Sequence, residues 1–481
     1  MQPRIRLDYW GGSTVDPEEE GLGPASTILT IEDYRVAIDA GLQFLKDNRY
    51  GYPIGEGQVS DVILTHSHTD HVGGLEPWQR KGVFEKRARI LCAPQTQKIV
   101  PIVLDQTFNN IGVLYHHVNR VNERLTTIPL GVFELAPGIW AFTGRAGHLN
   151  GALYVIIRVP LKSATGKITG YLNICFMGDH AWHDQETVAG SKFPDDIPDE
   201  FLPDIIAQID LTNPKMTIFD YDLEMRRMVD YVINAFENKH KKLIVFLAFA
   251  NGRTQNGIVG LKRYLKQLGK EGLCSIYCDG SGIELSQIIR DNPWSTEDRD
   301  FSLDGVKMID STPEARMELM DRDENMAIFT PSGMGDHGPA IPWTRHAVER
   351  DDAVISGLGW STDYSSLSRL ERLAKKREEQ NQDTFIRLRD DGYEEQWSEY
   401  LLRCDVERFH LSGHGGLGDF TQALTKLKKR RATVYGKAHA DLKLIGSTHG
   451  LQSSKKLCEI PLKEFSEYIV PCNVGTCIPL F

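Results

Sequence analysis

The sequence predicts an α/β fold in which a first α/β domain is interrupted by a second one. Short apolar stretches alternate with helix-like segments, and several of the strand-like stretches end on a polar residue at a turn, as "SDVILTH" does. From about Pro214 the pattern changes to new strand, turn and helix units, which indicates a second domain. Near the C-terminus, "RFHLSGHGG" and "LKLIGSTHG" again read as strands followed by histidines. The chain is therefore expected to return to its first domain.

Strands of the first domain are predicted, in chain order, at "YRVAIDAG", "SDVILTH", "ARILCAP", "GALYVIIRVP" and "YLNICFMGD". The second domain contributes "KMTIFDYD", "KKLIVFLAFANGRTQNGIVGLKRYLKQLG", "CSIYCDGSG" and "MAIFTPSGMGDHG". A charged stretch from Leu370 to Glu399 indicates a solvated helix and a linker. We accordingly expect the first domain to comprise residues 1–216 and 400–481, with residues 217–399 as the inserted domain.

Composition and charge narrow the class of protein. With 41% hydrophobic and 25% charged residues, and no long apolar run, the chain is not expected to enter a membrane. The N-terminus lacks the apolar segment of a secretory signal, and 8 cysteines are too few for a disulfide framework, so we expect a cytoplasmic protein. A formal net charge of −11 argues against a protein that coats nucleic acid, although it leaves room for a local channel. The basic run Lys426–Arg431 is expected to be a solvated helix face.

The stretch "DVILTHSHTDHVGGL" places three histidines and an aspartate close together, directly after an apolar strand. His66 and His68 alternate, so an extended turn puts both imidazoles on the same side, and Asp70 and His71 follow where a helix begins. Neutral imidazole and carboxylate groups suit Zn²⁺, and no thiolate lies nearby to suggest an iron–sulfur or purely structural site. The cluster therefore predicts a metal centre able to hold two ions.

The H-x-H-x-D-H pattern of this stretch resembles that of the metallo-β-lactamase superfamily. Further elements of that family follow in order: "VAIDAG" with Asp39, "RAGHLNGA" with His148 and "CFMGDHAW" with Asp179. In simple members the last histidine ligand follows soon after the bridging aspartate, whereas here the next suitable one, His449, lies 270 residues later (449 − 179). The resemblance therefore implies an αββα sandwich that is interrupted by an inserted domain.

The inserted domain resembles the β-CASP domain of RNA- and DNA-processing nucleases, such as ribonuclease J and the mRNA 3′-end cleavage endonuclease. The stretches that carry this resemblance are "IVFLAFANGRTQNGIVGL", "IYCDGSG" and "IFTPSGMGDHGPA". They imply an α/β β-CASP cap, with an acidic residue at the end of the strand that leads into it and two histidines after it. These correspond to Asp220 in "TIFDYD", His414 in "LSGHGG" and His449 in "GSTHGL", with Asp222 as an alternative to Asp220.

The resemblance also implies a role for each site residue. One Zn²⁺ would be held by His66, His68 and His148, and a second by Asp70, His71 and His449, with Asp179 shared between them. His414, hydrogen-bonded to Asp220, would donate a proton to the leaving oxygen. Asp39 and His180 would lie next to the metal ligands and hold them in position. Substrate contacts are expected from Arg253, Ser332, Gly333 and His337.

The combined pattern predicts a zinc-dependent ribonuclease that hydrolyses phosphodiester bonds by a two-metal mechanism and leaves a 5′-phosphate and a 3′-hydroxyl. In the family a histidine at the last position is typical of RNA-processing members and a hydrophobic residue of DNA-processing ones, so His449 favours single-stranded RNA as the substrate. A homodimer or a protein complex is compatible with the sequence. The remaining alternatives are a DNA nuclease of the same family, a small-molecule metallo-hydrolase and a non-catalytic scaffold. Endonuclease and exonuclease modes are not distinguished.

Overall fold

The computed structural model describes residues 5–11, 23–44, 50–53, 55–110, 118–210, 212–213, 218–294, 302–389, 397–449 and 476–480. Its strands, in chain order, are β1 (Ile5–Tyr9), β2 (Thr27–Ile31), β3 (Tyr34–Ile38), β4 (Gln43–Phe44), β5 (Tyr50–Gly51), β6 (Val59–Ile63), β7 (Phe84–Cys92), β8 (Leu125–Thr127), β9 (Gly131–Ala136), β10 (Ile139–Arg145), β11 (Leu153–Lys162), β12 (Ile168–Phe176), β13 (Ile205–Asp210), β14 (Leu243–Ala248), β15 (Ser275–Cys278), β16 (Lys307–Met308), β17 (Met326–Thr330), β18 (Ala353–Leu358), β19 (Phe385–Arg389), β20 (Trp397–Leu401), β21 (Asp405–Phe409), β22 (Lys443–His449) and β23 (Thr476–Pro479). Its α-helices are α1 (Thr69–Val72), α2 (Leu75–Lys81), α3 (Pro94–Asn110), α4 (Val118–Asn122), α5 (Tyr221–Glu237), α6 (Arg253–Gln267), α7 (Gly282–Asp291), α8 (Pro313–Met320), α9 (Ala340–Val348), α10 (Ser366–Gln380) and α11 (Leu417–Tyr435). Within the described ranges, none of these helices combines the length and the apolar character needed to cross a membrane.

Two β-sheets pack face to face in the first domain. One has the strand order β23-β1-β2-β3-β6-β7-β8, and the other has the order β22-β13-β12-β11-β10-β9. Alternate side chains of both sheets point inward and meet in one buried core, which includes Leu29, Ile63, Val155, Ile174 and Ala207. The two sheets therefore form the centre of the sandwich.

Helices cover the outer face of each sheet. Trp78 on α2 and Leu104 on α3 are buried against the first sheet. Phe420 and Leu424 on α11 are buried against the second sheet, where they join Ile156 of β11 in one apolar cluster. Because each sheet is apolar on both faces, each needs a helical layer outside and the other sheet inside. This αββα arrangement confirms the expected fold class.

The third large sheet lies in the chain between β13 and α11 and has the order β16-β15-β17-β14-β18-β21. Its neighbouring strands are parallel. β14, with the sequence "LIVFLA", is buried along its whole length, as expected for a parallel strand that is covered on both faces. Residues of α5, α6 and α7 pack on one face, and residues of α9 and α10 pack on the other. This sheet and its helices form the inserted α/β cap.

The connections between the domains differ from the expected ones. The predicted strand over "MTIF" is not formed in its described part, because residues 218–220 lead directly into α5, and residues 214–217 lie outside the described residues. On return, β21 still pairs with β18 in the cap, so the chain leaves the cap later than the expected boundary between residues 399 and 400. The charged stretch forms the expected helix, α10, but β19 and β20 make a hairpin where a linker was expected.

The basic run Lys426–Arg431 lies on α11, and acidic groups neutralise much of its charge. Lys426 pairs with Asp195, and Arg430 pairs with Asp199. Arg431 is buried instead of solvated, with its guanidinium 3.1 Å from a carboxylate oxygen of Asp204. The run therefore anchors α11 to the segment that precedes β13, and only part of it is a solvated face.

Candidate metal centre

The site residues of the first domain lie at one edge of the sandwich, because the strands that precede them end there. β3 and β6 run parallel, and Asp39 and His66 follow their C-terminal ends. β10 and β12 are both antiparallel to β11, so they point the same way, and His148 and Asp179 follow them. A backbone hydrogen bond of 2.8 Å from the N–H of Leu153 to the carbonyl of Thr65 joins the two sheets at this edge.

Asp39 fixes the conformation of the histidine-rich loop. Its carboxylate accepts hydrogen bonds from the backbone N–H of Thr65 at 2.7 Å and from the Thr65 hydroxyl at 2.8 Å. Its Oδ2 also lies 2.8 Å from Nδ1 of His71. Asp39 thus lies behind the predicted ligands. A carboxylate that accepts a hydrogen bond from one nitrogen of a histidine ring orients the other nitrogen of that ring, here Nε2 of His71.

Four side chains of the predicted ligand set converge on one point: His66, His68, His148 and Asp179. Nδ1 of His68 lies 3.2 Å from Nε2 of His66 and 3.1 Å from Nε2 of His148. Oδ2 of Asp179 lies 3.5 Å from Nε2 of His66 and 3.7 Å from Nε2 of His148. Donors at about 2.0–2.1 Å from a tetrahedral Zn²⁺ are separated by roughly 3.3 Å, so these spacings fit such an ion.

The charge state of the three histidines also suits a cation. Burial lowers the pKa of His68 to about 4, although the carboxylates of Asp70 and Asp179 oppose the shift. Burial is also the largest cause that holds the pKa values of His66 and His148 well below the ordinary value. Each ring is therefore neutral at physiological pH and has a lone pair to offer, as metal coordination requires.

The second predicted ligand set is only partly described. Nε2 of His71 lies 3.4 Å from Oδ1 of Asp179. Burial would lower the pKa of His71, but Asp179 and Asp39 raise it well above the ordinary value. Asp70 lies in α1, next to this set in the chain. The backbone of His449 ends β22 opposite Asp210 of β13, and its side chain lies outside the described residues.

An aspartate–histidine pair adjoins the centre. Nδ1 of His414 lies 2.8 Å from Oδ2 of Asp210, which ends β13, and 4.0 Å from Oδ2 of Asp179. The Asp210 carboxylate also accepts from the N–H groups of His180 and Thr212. Burial would lower the pKa of His414, but the attraction of Asp210 and Asp179 outweighs burial and raises it. The two carboxylates therefore favour the protonated form of His414.

The expected contact between His414 and Asp220 is wrong. Asp220 is exposed and caps α5, where its carboxylate accepts from the N–H of Leu223 at 2.9 Å. Asp222 is also exposed, on the first turn of the same helix. The sequence "FDYDLEMRRMV" can be interpreted in two ways. Asp220 can end a strand, or it can be the N-cap of a helix, because an aspartate directly before an amphipathic run is a helix N-cap signal. The sequence feature that could have identified Asp210 is "IIAQID", a buried strand that ends on an aspartate, like the stretch "CFMGD" that ends on Asp179.

The remaining predicted residues lie around this centre in different ways. The backbone N–H of His180 supports Asp210, while its ring packs against Trp182, with the ring centres 4.5 Å apart. Arg253 is buried at the start of α6, and its guanidinium lies against Gly413, where an added Cβ would be only 1.8 Å from Nη2. Burial lowers the pKa of Arg253 to about 10, so it stays charged.

The predicted anion-binding residues lie at the edge of the cap that faces the first domain. Ser332, Gly333 and His337 follow β17, and Gly333 packs against the backbone of Phe249 in the loop after β14. The same loop reaches the metal centre, because Nδ2 of Asn251 donates to the Ser67 hydroxyl at 2.9 Å. Asn251 is thus a contact between the domains that the sequence pattern did not single out.

Comparison with known proteins agrees with this architecture. Residues 24–98 match the metallo-beta-lactamase superfamily. The chain is 23% identical to transcription termination factor FttA of Thermococcus kodakarensis over 89% of this chain and 67% of that protein. It is 20% identical to an RNase J-like protein of Methanocaldococcus jannaschii over 89% of this chain and 91% of that protein. A crystal structure of a protein of unknown function from Enterococcus faecalis V583 aligns with a TM-score of 0.54 at 13% identity, covering 99% of this chain and 100% of that one.

Residues 24–98 therefore carry the metallo-β-lactamase match, and the rest of the chain is similar to proteins that span both domains. With its inserted α/β cap, and with similarity to these relatives over most of its length, the chain resembles the β-CASP subgroup of that superfamily. The chain spans only 47–67% of the length of FttA proteins such as those of Pyrococcus horikoshii and T. kodakarensis.

Proposed function

We propose that this protein is a metal-dependent ribonuclease that cleaves phosphodiester bonds in single-stranded RNA. The observation that carries the proposal is the position of the Asp210–His414 pair, with Nδ1 of His414 4.0 Å from the Asp179 carboxylate that also faces His66 and His148. A metal centre alone is common to many hydrolases. A protonated imidazole beside it supplies the proton that a leaving alkoxide needs.

The donor set would hold two Zn²⁺ ions, and the convergence of His66, His68, His148 and Asp179 supports the first of them. One ion would be held by His66, His68, His148 and Asp179. The second would be held by Asp70, His71 and His449, with Asp179 between the two. Two such ions, when bound, would stabilise the charge that develops on the attacking and leaving oxygens of an in-line displacement.

The protein's own residues supply the proton and the substrate contacts. His414 is bonded to Asp210 through Nδ1, which leaves Nε2 as the atom that donates to the leaving 3′ oxygen. A water oxygen would form the new bond to phosphorus as the bond from phosphorus to the 3′ oxygen breaks. The leaving oxygen takes the proton and becomes a 3′-hydroxyl, and the other fragment ends in a 5′-phosphate. Arg253 would attract the phosphodiester, and Ser332, Gly333 and His337 would contact a neighbouring phosphate through hydroxyl and N–H groups.

RNA is favoured over DNA by two lines of support. One relative is an RNase J-like protein, and another is a transcription termination factor. Independently, the last family position is a histidine, His449, as in RNA-processing members. A cytoplasmic location, and a homodimer or a protein complex as the working assembly, remain predictions from the sequence.

The test uses end-labelled single-stranded RNA and DNA of the same sequence, each with a 5′-phosphate or a 5′-hydroxyl. We expect cleavage of RNA that a chelator stops and Zn²⁺ restores, with 5′-phosphates on the new ends. Cleavage of DNA alone would replace the proposal with a DNA nuclease. A folded, zinc-loaded protein that cleaves neither polymer would contradict it, and a parallel assay with a lactam or thioester would detect the small-molecule alternative.

A further inference from the structure

We propose that Gln185 is a positioning residue that ties the metal ligand His148 to the inserted cap. Gln185 is buried in the segment that follows Asp179. The proposal rests on the proposed function for its effect on cleavage, whereas its effect on metal binding can be measured separately.

The side-chain amide of Gln185 makes four hydrogen bonds. Nε2 donates to the carbonyl oxygens of Gly147 at 2.7 Å and of His148 at 2.9 Å. Oε1 accepts from Nη1 of Arg253 at 2.8 Å and from Nδ2 of Asn256 at 2.9 Å. These bonds use the full capacity of an amide, with two donor hydrogens and two lone pairs. One side chain thus joins the backbone of the metal-ligand loop to the first turn of α6.

A second set of bonds fixes the orientation of this amide. Asn256 Oδ1 accepts from the N–H of Thr187 at 3.0 Å and from its hydroxyl at 2.9 Å, while Nδ2 of Asn150 donates to the Thr187 carbonyl at 3.0 Å. Because Oδ1 of Asn256 faces Thr187, its Nδ2 faces Gln185, and Oε1 of Gln185 must therefore point toward the cap. Exposed fractions of Gln185, Thr187, Asn256 and Asn150 are between 0 and 4%, so water does not compete for these bonds.

The loop that carries His148 depends on such bonds. Gly147 has φ of 74°, and a Cβ there would lie 2.2 Å from the carbonyl oxygen of Ala181, so this turn needs glycine. The ring of His148 is held through Nδ1 by the carbonyl of Gly413 at 2.8 Å, and its backbone is held by Gln185. With Nε2 of His148 only 3.1 Å from Nδ1 of His68, a shift of this loop changes the donor spacing directly.

Two substitutions and a neighbouring control separate positioning from general packing. Gln185→Glu keeps oxygen acceptors for Arg253 but replaces the donating amide with a carboxylate oxygen that faces two carbonyls. Gln185→Met keeps the side-chain volume and removes all four bonds. The control is Glu186→Gln, because Glu186 pairs with Nη2 of Arg263, which lies on α6, at 2.6 Å across the same domain interface.

The experiment measures zinc affinity by competition with a chromophoric chelator, the absorption spectrum of the Co²⁺-loaded protein, kcat and KM on RNA, and thermal unfolding. We expect both Gln185 variants to bind zinc about 10–100-fold more weakly, the range found when a residue behind a metal ligand is replaced. The Co²⁺ spectrum should change, and kcat should fall more than KM rises. Glu186→Gln should match wild type in zinc affinity and spectrum.

Several outcomes would overturn the assignment. One is a folded Gln185 variant that has the zinc affinity and the Co²⁺ spectrum of wild type. Another is a loss of zinc affinity in Glu186→Gln equal to that in the Gln185 variants, which would indicate a general interface effect. If neither Gln185 variant folds, the residue is structural and the proposal fails. A wild-type protein that binds zinc but cleaves no RNA would instead count against the proposed function, and the zinc measurements on Gln185 would still decide this proposal.

Discussion

His414 lies in a buried environment that disfavours a charged imidazole, but the two carboxylates that face it outweigh burial and raise its pKa. Asp210 is the closer of the two, and its own pKa stays low because the attraction of His414 outweighs its burial. At the scale of single residues, the proposed general acid therefore depends on two residues, His414 and Asp210. Removing the charge of Asp210 should weaken the acid without disturbing His66, His68, His148 and Asp179, the four side chains of the proposed metal site.

Asp210→Asn tests this pairing. We expect RNA cleavage to fall on the order of tenfold to a hundredfold, less than the 10²–10⁴-fold typical of losing a positioned general acid, because the imidazole remains in place. Zinc content should stay at the wild-type value. The matched control is Asp220→Asn, in which an exposed helix cap is replaced by an equally good one. Equal rate losses in the two variants would contradict the role of Asp210.

At the scale of elements, α5 is the first helix of the cap and begins at a capped N-terminus. The Asp220 side chain satisfies one backbone N–H there, and the apolar face of the helix is buried in the cap core. Asp220→Ala should therefore lower the free energy of unfolding by about 0.5–2 kcal/mol. The rate of RNA cleavage by folded protein should be unchanged. Chemical denaturation and single-turnover kinetics measure the two effects, and a stability equal to that of wild type would refute the cap.

β22 brings the last predicted ligand to the site. It runs parallel to β13, and its register places His449 opposite Asp210. His449→Val keeps a side chain suited to the end of a strand but removes the nitrogen donor. We expect the zinc content to fall toward one ion per chain, because His66, His68 and His148 still hold the first, and RNA cleavage to fall by at least about tenfold. Unchanged zinc content and cleavage would mean that His449 is not a ligand.

At the scale of the whole molecule, sequence patterns predict contacts that are local or that repeat a family motif. His66, His68 and His71 share one turn, so their clustering follows from their spacing. Asp179 can be predicted as a ligand from the sequence because it follows a strand in a motif that resembles one of the family. The pairing of Asp210 with His414 spans 204 positions and depends on how β13 and the return from the cap are arranged, which spacing does not encode.

The same limit applies to the interface between the domains. An αββα sandwich with an inserted cap was predictable from the order of strands and motifs, but the boundary after β21 was not, because "DVERF" has few apolar residues and its pairing with β18 comes from tertiary contacts. Gln185 and Asn251 likewise look like ordinary polar residues in the sequence. Their importance follows only from the bonds that they make between the first domain and the cap.

The central claim is that the histidine–aspartate centre holds the metals and that His414 is a separate acid beside it. Zinc content and RNA cleavage, measured on the same preparations of wild type, His68→Ala and His414→Ala, test this claim most directly. We predict about two zinc ions and full cleavage in wild type, loss of both zinc and cleavage in His68→Ala, and about two zinc ions with cleavage reduced by about 10²–10⁴-fold in His414→Ala. Loss of zinc in His414→Ala, or near-normal cleavage by His68→Ala, would contradict the account.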